Sequence, residues 1–216
     1  LYPPTLRRLD FDKVSSLLYV DRSGAPESAQ FGWTMAKKLA LWKAVVDRSL
    51  REPRGCWITE FNWPLADTEP YSPAPGKPSV SEEAQANYLV RYFVIAASSG
   101  LVERIYWWQL VAPGYGLIDS REAGWRRRPS YFALRTLVGF VEGSRFEGKA
   151  AGAPAEIYHF RKRDEEFAVC WTLRGAAVHA FPRAPRRIVG LDGRDIPVPG
   201  GNAVRIEERP HYVFFS

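Results

Sequence analysis

The chain has 216 residues, 46% of them hydrophobic, which is enough for one ordinary domain or a domain with an appendage. Thirty Lys and Arg against 24 Asp and Glu give a net charge of +6. The basic residues are scattered (Arg7-Arg8, Arg126 to Arg128, Arg161 to Arg163, Arg186-Arg187) rather than gathered on one face, so a nucleic-acid partner is not expected. No apolar run reaches the roughly 18 residues that a membrane-spanning helix needs.

The first predicted strand is KVSSLLYV, Lys13 to Val20, ending in the turn-rich DRSGAPES. A helix follows over 30–50, with Met35, Leu39, Trp42 and Val46 at helical spacing, until REPRG breaks it. CWITEF forms the second strand, and an acid, Glu60, stands near its end. The Pro-rich segment PLADTEPYSPAPGKPSV fits neither period, and a loop of that length is usually functional or mobile. Ser79-x-x-Glu82 reads as a capping box, with Ser81 as a competing cap, for the helix EEAQANYLVRYFVIAASS that Gly100 stops. The third strand is ERIYWWQL, Glu103 to Leu110. After the loop VAPGYGLIDSREAGWRRR, Pro129 opens the helix SYFALRTLVGFVEG.

This alternation is that of parallel right-handed crossover units, and the continuous apolar strands suit a sheet buried on both faces. Beyond about Gly143 the pattern becomes all-β. IYHFRKRDEEFAVCWTL reads as one hairpin around RDEE and RRIVGLDGRDIPV as another around Asp192-Gly193, and NAVRIEERPHYVFFS closes as a last pair of strands.

Three parallel strands alone leave unpaired edges and an uncovered apolar face. A (β/α)8 barrel needs about 250 residues, so residues 1–143 are expected to be the C-terminal part of a TIM barrel whose earlier strands lie upstream. Residues 144–216 are expected to form a small β-sandwich-like domain. The fold class is therefore α/β, a partial barrel followed by an all-β domain.

The two cysteines, Cys56 and Cys170, lie far apart in apolar runs, where a free Cys acts as a small hydrophobe. The three histidines are spread through the last third, so neither metal nor cofactor is expected.

In a barrel the loops after the strands carry function. Tyr19, Glu60 and the group Trp107, Trp108 and Gln109 stand at three such ends. These residues resemble the large clan of retaining β/α-barrel glycoside hydrolases, whose strand seven ends in a motif like W-I-T-E-x-G-W. The match here is Trp57-Ile58-Thr59-Glu60-Phe61-Asn62-Trp63-Pro64. The resemblance implies that the strands are six to eight, that Glu60 is the nucleophile with Tyr19 beside it, and that Trp107 or Trp108 is a sugar platform. Strand alternation sends only one of those two indoles inward, and the sequence leaves open which. The resemblance also implies a carbohydrate substrate, with Asn62, Trp63 and Gln109 as further contacts, and a β-sandwich tail.

Two departures stand out. Asn62 replaces a common Gly, and the Asn-Glu pair that supplies the family's acid/base on strand four is absent. The expectation is that this carboxyl lies upstream and that the isolated chain is inactive. A degenerate, non-catalytic carbohydrate-binding barrel is the alternative. Asp21, Arg22 and Asp119 are lesser candidates, the first two as an ion pair in their loop.

Overall fold

The computed structural model describes residues 11–50, 52, 54–121, 123–151 and 155–215. The basic pair Arg7-Arg8 and two residues of the predicted helix break, Arg51 and Pro53, lie outside these. Cα proximity divides the chain into two compact units, Leu1–Ser81 with Ile95–Arg126 and Glu82–Val94 with Arg127–Ser216, so the division falls inside a helix.

The first unit is built on a three-stranded parallel sheet in the order β1 (Lys13–Leu17), β2 (Gly55–Glu60), β3 (Arg104–Ile105). Between β1 and β2 runs α1 (Met35–Ser49), shorter at its start than the apolar spacing predicts. Thr34 caps it by accepting from the Lys37 amide at 3.4 Å, an arrangement that satisfies one of the orphan N–H groups of a first turn. Met35, Leu39 and Val46 are buried, as their three- and four-residue spacing requires.

Gly55 at the start of β2 leaves room for a neighbouring side chain. The Glu103 carboxylate reaches across β2 to Lys13 Nζ at 2.7 Å and accepts from the Trp57 indole at 3.2 Å. A Cβ on residue 55 would meet that carboxylate and push it off its present place. Glycine thus lets an ion pair bridge the two edge strands over the central one.

Register sets the position of Glu60. β1 and β2 pair from Lys13 opposite Gly55 to Ser16 opposite Ile58, then slip so that Leu17 faces Glu60. The Leu18 amide donates to the Glu60 carbonyl at 3.2 Å, which brings the next residue, Tyr19, past the end of β2. The third strand is much shorter than its apolar run suggests. After Ile105 the ladder continues only as separate bonds, Tyr106 N to Ile58 O at 2.9 Å and Trp108 N to Phe61 O at 3.1 Å. The Trp108–Gln109 peptide is cis.

Helix α2 (Glu82–Ser98) begins where Ser81 occupies the N-cap position. Its first turn and that of α3 (Pro129–Val141) are tied within the second unit. Arg128, fully buried, donates to Glu82 at 2.9 Å, and Ser130 Oγ donates to Gln85 Oε1 at 2.8 Å. Pro129 opens α3, where its missing N–H costs nothing. The loop before it holds two two-residue strands, β4 (Ile118–Asp119) and β5 (Arg126–Arg127).

The rest of the second unit is antiparallel. β6 (Arg145–Lys149), β7 (Glu156–Lys162), β8 (Glu165–Trp171), β10 (Arg187–Gly190), β11 (Asp195–Ile196) and β13 (His211–Phe215) form one sheet in the order β11-β10-β13-β8-β7-β6. β9 (Ala176–Ala180) and β12 (Ala203–Glu207) form a second. Both predicted hairpins form, β7–β8 and β10–β11. The last two strands do not pair with each other: β12 joins β9, and β13 enters the large sheet between β8 and β10.

Period-two alternation explains why YVFF and FAVCW read as unbroken apolar runs. Val213, Phe215, Ala168 and Cys170 face a core shared with Val204 and Ile206 of β12. Tyr212, Phe214 and Phe167 face the opposite way, where Phe140 of α3 packs on all three with centroids 4.9 to 6.4 Å apart. A central strand covered on both faces has no solvent side on which to place polar residues. Both cysteines are free and buried.

His211, at the start of β13, is buried, and burial holds its imidazole below the ordinary range against the weaker pull of a backbone hydrogen bond at Arg209 and the charge of Glu207. His159 on β7 is lowered too, by burial first and then by His179. Both titrate near pH 6.5 when unfolded. As pH falls below that value the unfolded chain takes up protons that the folded chain refuses, so stability present at neutral pH is lost. The urea midpoint should therefore fall between pH 7.5 and 5.5, and His159→Gln/His211→Gln should flatten the profile.

Candidate active site

Three segments leave the C-terminal ends of β1, β2 and β3, and they are cross-linked to one another. Tyr19 Oη donates to Glu60 Oε1 at 2.5 Å. Asn62 lies two residues further along and is almost fully buried. Its Oδ1 accepts from Arg22 Nη2 at 2.5 Å, and its Nδ2 donates to the Trp108 carbonyl at 2.8 Å. One carboxamide thus joins the loop after β1 to the segment after β3. Such a bond network is costly to leave half made, because each buried group would lose water without gaining a partner.

The Arg22 guanidinium also lies over the Tyr19 ring, 5.1 Å from its centroid. Asp21 does not pair with it. The Asp21 carboxylate accepts from the Ser23 amide at 2.9 Å and the Ser23 hydroxyl at 2.7 Å, and these bonds hold it below the usual carboxylate range.

Tyr19 is pushed well above the ordinary phenol range, first by burial, then by its hydrogen bond to Glu60 and the charge there. Arg22 opposes this and Tyr115 adds to it. The phenol therefore stays protonated at any physiological pH. It acts as a fixed donor to the carboxylate of Glu60.

The aromatic residues separate into two kinds. Trp63 is fully buried, and its indole donates to the Asp21 and Gly24 carbonyls at 3.2 and 2.9 Å. It supports the loop after β1 and has no face open to a ligand, unlike the substrate contact expected of it. Trp107 packs edge-on to Phe61 with centroids 5.3 Å apart and stacks on Trp63 at 6.2 Å. Trp108 is turned outward, 45% exposed. Burial goes on alternating past the end of β3, with Tyr106 and Trp108 exposed and Trp107 and Gln109 part-buried. Gln109 donates locally to the Val111 carbonyl at 2.7 Å.

Asn62 has both ends of its amide committed inside the protein, so it braces the site instead of reaching outward. Asp119 is fully buried and takes Arg121 Nη2 at 2.7 Å and Arg126 Nη2 at 3.4 Å, a clamp within its own loop. Sequence reasoning missed Tyr115, whose influence on Tyr19 comes from a loop with no periodic signal. Arg22 was only a lesser candidate, because its partner is 40 residues away. Among the described residues, no group of three or more His, Cys, Asp or Glu gathers so as to hold a metal ion.

No protein-family model matches the chain, and no curated protein matches by sequence. Solved structures do match by shape. A family 39 glycoside hydrolase from the gut symbiont Bacteroides cellulosilyticus WH2 superimposes with a TM-score of 0.73 at 17% identity, covering 94% of this chain and 44% of that one. A family 86 β-porphyranase from Bacteroides plebeius gives 0.56 at 11%, covering 94% and 41%. A family 30 subfamily 8 xylanase from Clostridium acetobutylicum gives 0.52 at 9%, covering 79% and 44%. The chain has a glycoside-hydrolase-like fold and spans less than half the length of these proteins.

Asn62→Ala would leave the Arg22 guanidinium and the Trp108 carbonyl without their partner. It should destabilise the protein by about 1–3 kcal/mol in urea denaturation. Gln109→Ala, which removes one local bond at a part-exposed position, should cost under about 0.5 kcal/mol.

Proposed function

We propose that this chain carries the nucleophile half of a retaining glycoside hydrolase site, with Glu60 as nucleophile and Tyr19 as its hydrogen-bond donor. The observation that carries the reading is the 2.5 Å bond from Tyr19 to Glu60 at the ends of adjacent parallel strands. It occurs in a fold shared with several glycoside hydrolases.

In this reading β1, β2 and β3 correspond to strands six, seven and eight of a (β/α)8 barrel. Residues 144–216 are the β-sandwich-like domain that follows it. The other barrel strands, and the second carboxyl, come from a part of the protein outside these residues.

Retaining hydrolysis needs two carboxyl groups about 5–5.5 Å apart. Glu60 attacks the anomeric carbon as the glycosidic bond breaks, and the second carboxyl gives its proton to the departing oxygen. Water then attacks the glycosyl-enzyme ester, its proton returning to the second carboxyl, and Glu60 is released. Tyr19, kept protonated by its surroundings, can follow the change at Glu60 from anion to ester by shifting its hydrogen bond. The exposed indole of Trp108 offers a ring face to the C–H face of a sugar, and its position is fixed by Asn62 through the peptide carbonyl.

The test uses the protein expressed from the complete reading frame. Glu60→Gln should lower turnover of a β-glycoside by roughly 10³-fold or more, with denaturation midpoints close to wild type. Tyr19→Phe should lower kcat by less. Azide added to Glu60→Ala should restore cleavage of an activated aryl β-glycoside and release the α-glycosyl azide, since azide takes the place of the missing carboxylate. Hydrolysis by Glu60→Gln at the wild-type rate would sink the assignment.

A further inference from the structure

Arg22 stands between the brace and the reacting carboxylate, and its two contacts ask for different things. The bond from its Nη2 to Asn62 Oδ1, 2.5 Å long, needs one N–H and no charge. The approach of its Cζ to 5.1 Å from the Tyr19 ring centroid draws on the charge itself. Tyr19 then donates to Glu60 at 2.5 Å, so cation, phenol and carboxylate stand in series.

A guanidinium is retained here at a cost. Its Nε is enclosed without a hydrogen-bond partner, a penalty that a shorter neutral donor would escape. Asp21, the adjacent acid, is committed to Ser23 and does not offset the charge. Asn62 also stands where the glycosidase motif commonly has Gly, which has no side-chain oxygen to hold Arg22. Residues 22 and 62 are therefore a matched pair, joined across 40 positions of sequence.

We propose that Arg22 is a positioning residue whose charge, acting through Tyr19, speeds the release of Glu60 from the glycosyl-enzyme. The proposal rests on the reading of Glu60 as nucleophile. In that cycle Glu60 gives up its charge on forming the ester and regains it when water attacks. The glycosyl C–O bond to Glu60 breaks with its electron pair returning to the carboxylate. Water supplies the new bond to the anomeric carbon, and its proton passes to the second carboxyl. A cation on the face of a phenol withdraws electron density and makes its O–H a stronger donor. Arg22 accordingly pulls Tyr19 downward, against the rise from burial. A stronger donor stabilises negative charge as it grows on the departing carboxylate. During attack that charge is being lost, so the same bond gives no help. The effect of Arg22 is therefore confined to the second half-reaction.

The test uses the full-length protein and the 2,4-dinitrophenyl β-glycosides of xylose, glucose and galactose. Their leaving group departs so readily that release of Glu60 limits kcat, while kcat/KM reports the first half-reaction alone. Arg22→Gln and Arg22→Met remove the charge with and without a donor for Asn62, and Arg22→Lys keeps it. Two charge-free variants of different shape guard against one that does not fold. Both should lower kcat about tenfold. KM should fall in step, leaving kcat/KM within about threefold of wild type. A burst of dinitrophenolate matching the enzyme concentration should precede the slowed steady state. Arg22→Lys should hold kcat within about threefold of wild type.

A brace without an electrostatic role gives a different pattern, with kcat/KM falling as far as kcat and no burst. That result overturns the proposal. Arg22→Lys as slow as Arg22→Met overturns it too, as does wild-type kcat in both charge-free variants. Glu60→Gln separates the two readings. If it abolishes turnover while the Arg22 variants behave as wild type, Glu60 stays the nucleophile and only the role of Arg22 falls. If it hydrolyses at the wild-type rate, or wild type cleaves none of the glycosides, the glycosidase reading falls and takes this proposal with it.

Discussion

A buried carboxamide holds the rim of the parallel sheet together. Asn62 spends its oxygen on Arg22 and its nitrogen on the Trp108 carbonyl, so three chain segments that share no local sequence are fixed at one point. Arg22 in turn lies over Tyr19, and Tyr19 donates to Glu60. The carboxylate at the end of β2 is therefore held by a chain of bonds that begins two residues past β2, crosses to the β1 loop and returns. Each bond is individually worth only about 0.5–1.5 kcal/mol net, and more where a charge is involved. The cost of breaking one is larger than its share, because its partners are buried.

Beneath that brace lies an aromatic layer. Trp63, Phe61 and Trp107 pack against one another, and the Trp63 indole reaches up to two carbonyls of the β1 loop. The motif at the end of β2 thus alternates its duties. Glu60 faces the rim, Phe61 and Trp63 anchor the floor, and Asn62 ties the walls. This division gives the loop after β1, which carries Phe31 in left-handed backbone, several fixed bonds to the segment after β2. Strain in one turn is tolerated when the surrounding bonds determine the geometry.

Much of this architecture was legible from pattern. The helical spacing of Met35, Leu39 and Val46, the Pro129 start of α3 and the RDEE and Asp192-Gly193 turns all depend on neighbours in sequence, and they appear where expected. Strand β3 is shorter than its apolar run suggests, because past Ile105 the chain keeps only separate bonds to Ile58 and Phe61. Strands β6 and β9 were passed over. RFEGK and AAVHA have one half-buried face and weak β-branched content, so they yield little signal until a neighbouring strand is in place. The last two strands appear where expected, but their partners, β9 for β12 and β8 and β10 for β13, are chosen by the apolar faces available across the sheet and not by adjacency.

The sequence by itself determined which residue types stand at the strand ends: an acid on β2, a phenol on β1, indoles after β3. Periodicity is local, and the end of an apolar run marks where core gives way to loop. The tertiary structure decided what each does with its polar atoms. It turned Asn62 and Trp63 inward to serve as struts, set Trp108 outward, brought Arg22 onto Tyr19, and raised the Tyr19 phenol beyond reach of titration through burial beside Glu60. Those outcomes depend on distances between segments some 40 residues apart, fixed by strand register and the slip after Ser16, which no local pattern encodes.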